Sequence, residues 1–321
     1  MVIATTLTTG CTGTDAGPSG GDDTTINAVA TVGMVADVVR RVGGPHVSVT
    51  QICGSGIDPH THTPTRDDVQ KFLSADAVFY NGLKLEGKMA DKLAAMSESK
   101  PVVAIAEGIA KDRLLAPDEF EGHADPHVWM DVAMWSQTAA VVAETLASML
   151  PDHAEMFARN AAEFERELSE LDRYVRESIA TIPESQRLLI TSHDAFNYLG
   201  RAYDLQVEGI QGISTESEAG LRRINDLVDR LVDQNVAAVF VESSVNPKNI
   251  RALIEGARSR GHQVASGGEL YSDAMGPDGT YTGTYIGMID HNATTITRAL
   301  GGEAPAGGFR GQLQPSGSPQ S

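Results

Sequence analysis

The chain has 321 residues, of which 41% are hydrophobic and 21% are charged, an ordinary composition for a folded globular protein of two domains or one two-lobed body. Its 25 Lys and Arg against 43 Asp and Glu give a net charge of −18, which argues against nucleic-acid or anionic-membrane partners because both need a basic face. Apolar runs such as residues 236–241 are too short to span a bilayer, and two cysteines make no disulfide framework.

The N-terminal stretch resembles the end of a bacterial lipoprotein signal. Cys11 follows Leu-Thr-Thr-Gly, and residues 12–25 are rich in Gly, Ser, Thr and Asp, which is typical of a flexible tether. We therefore expect residues 1–25 to be a signal remnant and tether, with a lipid anchor on Cys11. No Lys or Arg precedes Arg40, so the basic region of a signal peptide is missing. The alternative, a disordered N-terminus with a stray thiol, stays open.

The next 125 residues (26–150) alternate between strand and helix patterns. Strands are predicted at 26–31, 47–52, 77–80 and 102–105, and helices at 32–42, 65–74, 86–96 and 132–150. This alternation is typical of a lobe built on a parallel sheet.

The segment 152–182 does not follow the alternation of strands and helices. Its apolar residues recur at steps of four and three and form one continuous stripe along a helix. The stripe consists of Phe157, Ala161, Phe164, Leu168, Leu171, Val175 and Ile179. A helix of this length is a rod of roughly 40–45 Å. We interpret residues 151–183 as a brace between two lobes.

The alternation resumes after Pro183 and predicts a second α/β lobe over 184–302. Its predicted strands are 188–191, 237–241 and 263–265, and its predicted helices are 195–202, 220–234, 247–260 and 284–300. Residues 303–321 are rich in Gly, Pro, Ser and Gln and are predicted to be a disordered tail.

The triplet Asp-Pro-His occurs twice, at 58–60 and at 125–127. Proline fixes its own φ and keeps the preceding residue out of the helical region, so each triplet is a stiff loop that aims an imidazole. Neutral imidazole is the commonest metal-ligating side chain. The repeat therefore indicates that His60 and His127 serve one metal site.

Two further candidates, His193 and Asp273, come from the second lobe. Ligands of open parallel sheets bind beyond the carboxyl ends of strands, and His60, His193 and Asp273 each follow a predicted strand. With His127 they make three imidazoles and one carboxylate, a four-coordinate site in the cleft between the lobes. The alternatives are a surface loop histidine at His60, a capping or buried histidine at His193, and an ordinary strand terminator at Asp273.

Other candidates have weaker roles. His62 and His123 lie near the triplets and are expected close to the site without binding the metal. Glu216 and Glu242 are predicted to orient imidazole N–H groups. We interpret the remaining histidines as solvated surface residues, and these are His46, His153, His262 and His291.

Several motifs together resemble a known family. They are Asp-Pro-His-Thr-His-Thr-Pro from 58, Phe-Tyr-Asn-Gly-Leu-Lys-Leu-Glu from 79, His-Ala-Asp-Pro-His-Val-Trp-Met-Asp from 123, Thr-Ser-His-Asp-Ala-Phe from 191 and Tyr-Ser-Asp-Ala-Met-Gly from 271. The chain from about 26 to 300 resembles the TroA-like zinc/manganese solute-binding proteins of ABC importers. The resemblance implies two α/β lobes, one long connecting helix, and metal ligands at His60, His127, His193 and Asp273.

The implied cargo is Zn²⁺ or Mn²⁺. Many zinc-specific members of the family carry a long loop rich in His and Asp before the second ligand histidine, whereas residues 107–124 are short and hold only His123. Many manganese-specific members have Glu where this chain has His193. The ligand set is thus intermediate, and its nitrogen-rich character favours Zn²⁺ slightly by affinity.

The resemblance implies an extracytoplasmic, monomeric receptor that captures the metal ion and hands it to a membrane permease, without catalysis. One alternative is a zinc-dependent hydrolase, which needs an open coordination position and a nearby base. The sequence has no His-Glu-x-x-His signature of that class. A second alternative is a surface adhesin whose metal is structural.

Overall fold

The computed structural model describes residues 25–120 and 122–313. The prediction of a lipidated Cys11 falls outside these residues. Within the described ranges, no helix combines the length and the apolar character that a membrane crossing requires.

The first half of the chain forms a four-stranded parallel sheet in the order β2-β1-β3-β4. Its strands are β1 (Ile26–Val32), β2 (Val47–Cys53), β3 (Ala77–Tyr80) and β4 (Val102–Ala104). Its helices are α1 (Gly33–Gly43), α2 (Arg66–Ser74), α3 (Ala90–Met96), α4 (Val132–Trp135) and α5 (Thr138–Met149). Central strand β1 is buried except at Asn27, as a strand covered on both faces should be. We call these elements the N-lobe.

The helix predicted at 132–150 is interrupted. It is divided into α4 and α5 at Ser136 and Gln137. The hydroxyls of Ser136 and Thr138 donate to the carbonyl oxygens of Ala133 and Trp135, and such local side-chain bonds compete with the helical pattern. The helix predicted at 86–96 likewise begins later, at Ala90, after a 3-10 turn.

The predicted rod is helix α6 (Ala154–Ala180), which has 27 residues and a length of about 40 Å. Its apolar stripe is buried at every predicted position, from Phe157 to Ile179. The structure thus confirms the long helix.

The second half of the chain contains two pairs of parallel strands. The strands are β5 (Leu188–Thr191), β6 (Gln206–Gly209), β7 (Ala238–Glu242) and β8 (Ala265–Leu270). The two pairs lie side by side through β5 and β7. The helices are α7 (Asn197–Tyr203), α8 (Leu221–Asp233), α9 (Lys248–Ser259) and α10 (Tyr285–Ala299). We call these elements the C-lobe.

Two strands of the C-lobe depart from the prediction. Strand β6 was missed, since Val207 is its only large apolar residue. Strand β8 extends through Ser266-Gly267-Gly268, residues with low strand propensity. Gly267 lies against the Phe240 ring, where an added Cβ would come within 2.4 Å of ring carbon Cε1. The close approach of the two strands therefore requires glycine at this position.

Residues 303–313 of the tail predicted to be disordered are ordered, and residues 314–321 lie outside the described part of the chain. Phe309 is buried, and its backbone N–H donates to Asp290 at 2.7 Å. Its ring lies 5.5 Å from that of Tyr174 on α6, centroid to centroid. Phe309 thus helps to anchor a Gly-rich segment for which composition predicts no structure, together with the Glu303 N–H, which donates to Thr181 at 2.7 Å.

Helix α6 joins the lobes by packing. It contacts α1 and α5 of the N-lobe and α10 of the C-lobe. Across the C-lobe contact, the Tyr174 and Thr294 hydroxyls lie 2.7 Å apart. The helix thus shares a core with both lobes and is more than a covalent linker.

Leu168 tests this packing, because its side chain is fully buried in the middle of α6. We expect Leu168→Ala to lower the free energy of unfolding by about 2–5 kcal/mol through lost burial and the cavity left behind. The exposed control Glu163→Ala should change it by no more than about 0.5 kcal/mol. Urea denaturation of both variants measures the change in unfolding free energy. Equal midpoints for the two variants would contradict the interpretation of α6 as a packed brace between the lobes.

Candidate metal centre

The four predicted ligands lie beyond the carboxyl ends of four strands. His60 follows β2, His127 follows β4 after a long loop, His193 follows β5 and Asp273 follows β8. Parallel strands in each lobe point their carboxyl ends toward the same cleft, so residues far apart in sequence meet there.

The donor atoms of these residues form one cluster, within 4.8 Å of one another. His60 Nε2 lies 3.3 Å from His127 Nε2. Asp273 completes the cluster, with its carboxylate oxygens 3.6, 3.3 and 3.2 Å from the Nε2 atoms of His60, His127 and His193. A tetrahedron with donors about 2.05 Å from its centre has edges of about 3.3 Å, which is close to these spacings. Both oxygens of Asp273 face the imidazoles, one toward His127 and the other toward His60 and His193.

The chemistry of the donors agrees with this geometry. All four side chains are buried. His193 Nε2 and both Asp273 oxygens lack a hydrogen-bond partner among the described residues. Buried polar atoms without partners are costly in a folded protein unless something else, such as a metal ion, satisfies them. Three nitrogens and one oxygen can hold Zn²⁺, and the same set can accept other divalent transition metals.

Asp125 orients His127. One oxygen of its carboxylate accepts the His127 backbone N–H at 3.0 Å and lies 2.7 Å from imidazole Nδ1. Although burial lowers the pKa of His127, the carboxylates of Asp125 and Asp273 raise it to about 9. A carboxylate at Nδ1 leaves Nε2 as the atom directed at the cluster.

Glu242 does the same for His193. Its carboxylate accepts the His193 backbone N–H at 2.8 Å and lies 2.5 Å from Nδ1. Burial lowers the pKa of His193, but Glu242 and Asp273 outweigh it and hold that pKa well above its usual value. The structure therefore places Glu242 where the sequence analysis expected it.

His60 differs from the other two histidines. Among the described residues, the only carboxylate within 4 Å of its ring nitrogens is Asp273, a member of the cluster itself. Burial lowers its pKa to about 4 despite the opposing charge of Asp273. His60 is therefore neutral at pH 7 and has no orienting carboxylate.

Asp273 carries the negative charge of the cluster. Burial raises its pKa, but the nearby imidazoles of His193 and His127 bring it well below the usual value. The adjacent backbone is held across the cleft, since Trp129 Nε1 of the N-lobe donates to the Ser272 carbonyl at 3.0 Å. This contact ties the C-lobe carboxylate to the N-lobe histidines.

The remaining candidates lie outside the cluster. His62 Nε2 lies 3.3 Å from Asp68, the residue that closes the capping box of α2. His123 makes a ring contact with Phe120. The role predicted for Glu216 is wrong, because its exposed carboxylate pairs with Lys88 at 3.3 Å.

The four histidines assigned to solvated surface are only partly exposed. His46 and His153 stack on each other with ring centroids 3.8 Å apart. His262 and His291 have Nε2 atoms 2.8 and 2.9 Å from the carbonyl oxygens of Val236 and Glu269. Their separation from the cluster agrees with the sequence analysis.

The role of Asp125 was missed. The signal was present in the repeated triplet, since an aspartate two residues before a histidine can accept that histidine's backbone N–H. Sequence alone does not distinguish Asp125, which also reaches the imidazole, from Asp58, which does not.

Comparison with known proteins gives consistent matches. The manganese-binding lipoprotein MntA of Bacillus subtilis is 45% identical over 94% of this chain and 97% of its own length. The zinc-binding protein TroA of Treponema pallidum is 40% identical over 85% of this chain and 88% of its own length. The manganese ABC transporter substrate-binding lipoprotein PsaA of Streptococcus pneumoniae is 29% identical over 88% and 93%.

The solved structure of the periplasmic zinc-binding protein TroA superposes with a TM-score of 0.84 at 41% identity, covering 86% of this chain and 99% of that one. This likeness extends over both lobes and the long helix. The model of the family described as zinc-uptake complex component A, periplasmic, matches residues 28–299. The chain belongs to this family of metal-binding substrate-binding proteins.

Proposed function

We propose that this protein is an extracytoplasmic receptor that captures Zn²⁺ or Mn²⁺ and delivers it to an ABC-type permease. The observation that carries the proposal is the buried cluster of His60, His127, His193 and Asp273, assembled from both lobes. Relatives that bear the names zinc-binding, manganese-binding and ABC transporter substrate-binding support the choice of ion and partner.

The proposed capture needs no chemical step. Asp273 supplies one negative charge and the imidazoles supply nitrogens, so a divalent cation bound among them balances a buried carboxylate. Since two donors come from each lobe, the strength of the site depends on the position of one lobe relative to the other. A small tilt about α6 would separate the donors and weaken binding.

The same geometry favours a receptor over a hydrolase. A catalytic zinc has three protein ligands and keeps a fourth position for water, whereas here four protein residues each offer a donor atom within 4.8 Å of the others. We propose further that the protein acts as a monomer, since one chain supplies all four donors. We also propose a lipid anchor at Cys11. The chain then divides into a first lobe at 26–150, a connecting helix at 151–183 and a second lobe at 184–302.

Substitution of His60 and His127 tests the site. We expect the double variant His60→Ala and His127→Ala to bind Zn²⁺ more than about a hundredfold more weakly, because loss of ligands exceeds the 10- to 100-fold cost of losing their supporting partners. Isothermal titration of chelator-treated protein measures the affinity. His62→Ala, in the same loop but outside the cluster, is the matched control and should bind normally. Unchanged affinity in the double variant would reject the site.

Proton release gives a second prediction. Without metal, His127, with its pKa of about 9, and His193, whose pKa is also raised, carry protons at neutral pH. A cation displaces these protons, so Zn²⁺ affinity should fall as pH falls, by up to about a hundredfold per pH unit between about pH 8 and 6. His60, with its pKa of about 4, contributes nothing in this range. Calorimetric titration in buffers of different ionisation enthalpy counts the protons released. A Zn²⁺ affinity independent of pH would contradict the assignment of His127 and His193 as protonated ligands.

Glu242 gives a third prediction. Glu242→Gln keeps the size of the side chain and removes the charge that orients His193, so we expect Zn²⁺ affinity to fall about 10- to 100-fold. Glu269→Gln, an exposed position on β8, is the control and should have no effect. Competition with a chromophoric chelator measures both, and equal affinities would show that the carboxylate does not support binding.

A further inference from the structure

The two Asp-Pro-His triplets start alike and then diverge. In each, an aspartate oxygen accepts the backbone N–H of the histidine two residues later, at 2.9 Å in Asp58–His60 and 3.0 Å in Asp125–His127. Asp125 also contacts the imidazole of its histidine. Asp58 instead uses its second oxygen to accept two hydroxyls, that of Thr215 at 2.5 Å and that of Thr61, in its own loop, at 3.0 Å. Both carboxylates thus accept a hydrogen bond from the opposite lobe, but only Asp125 also supports a ring.

The segment that carries Thr215 is the C-lobe connection between β6 and α8, residues 210–220, which contains neither helix nor strand. Its second contact with the N-lobe is the ion pair between Glu216 and Lys88. Both of those side chains are about half exposed, and exposed pairs contribute little. The hydroxyl of Thr215 is therefore the stronger of these two contacts.

The loop of His127 is held at more points. Asn197 Nδ2 donates to Asp125 at 3.2 Å, and the Tyr198 hydroxyl donates to the Asp125 carbonyl at 2.9 Å. Asn81 Nδ2 donates to the Pro126 carbonyl at 3.0 Å. Of the two triplet loops, that of His60 has fewer side-chain hydrogen bonds to other segments of the described chain.

His60 also faces open space. A cavity of about 420 Å³ lies against it, lined from the N-lobe by Tyr80 and Lys84 and from the C-lobe by Ser214 and Glu216. None of the other three cluster residues lines this cavity. A cation that leaves the cluster toward this cavity passes His60, the histidine without an orienting carboxylate.

We propose that Thr215 and Asp58 form a latch that holds His60 over the ion and sets the rate of metal release. The inference rests on the receptor function proposed above. The latch acts through a chain of two hydrogen bonds, from the Thr215 hydroxyl to one oxygen of Asp58 and from the other oxygen to the His60 backbone N–H. Thr215 and Asp58 are positioning residues, and when their bond breaks the His60 loop loses its side-chain hydrogen bond to the C-lobe and moves toward the cavity.

A pair of substitutions at Thr215 tests the latch. Thr215→Val keeps the shape and removes the hydroxyl, and we expect Zn²⁺ release into excess chelator, followed by stopped flow, to become on the order of tenfold faster, the value of one hydrogen bond to a charged group. Thr215→Ser restores the hydroxyl and should release Zn²⁺ within about twofold of the original rate. Glu216→Gln, which removes only the exposed ion pair, should also change the rate by less than about twofold.

The outcomes separate the latch from its alternatives. If Thr215 contributed to folding alone, Thr215→Val would lower the unfolding midpoint without changing the rate of Zn²⁺ release, and this outcome would overturn the inference. It is also overturned if Thr215→Val releases Zn²⁺ at the original rate, or if Thr215→Ser is as fast as Thr215→Val. A protein with its original sequence that binds neither Zn²⁺ nor Mn²⁺ would reject the receptor function itself.

Discussion

The structure depends on a carboxylate, Asp273, buried among three imidazoles at the seam between two lobes. Burial of a charge is costly unless opposite charge and directed donors surround it. Here the surrounding imidazoles come from both halves of the chain, His127 from the N-lobe and His193 from the C-lobe. The electrostatic requirement of one side chain thereby favours the relative position of the lobes that brings both imidazoles to it.

Supporting carboxylates extend this requirement outward. Asp125 fixes His127, and Glu242 fixes His193. In each pair the carboxylate accepts the histidine's backbone N–H and contacts Nδ1 of its imidazole. The result is an unequal site, with two histidines held rigidly and His60 held through its loop. In such a site, the rigidly held histidines determine the coordination geometry, and the more loosely held histidine determines how fast the metal ion exchanges.

Much of this organisation could be predicted from the sequence. The repeated triplet, the strand ends and the long apolar stripe of α6 are local patterns whose physical meaning does not depend on distant residues. Strand β6 could not be predicted, because its place beside β5 is determined by pairing and not by its own apolar pattern. The anchoring of Phe309 depends on Tyr174 and Asp290, which composition does not reveal. The different roles of Asp58 and Asp125 depend on what faces them across the cleft.

Helix α6 has a consequence for recognition by a partner. A continuous rod that shares a core with both lobes provides no flexible joint between them, which favours small tilts over wide hinge closure. A permease that docks across the rims of both lobes therefore has no large change of shape to sense. Discrimination between the two forms must rely on the loops around the cleft and on the charge that the cargo neutralises beneath them.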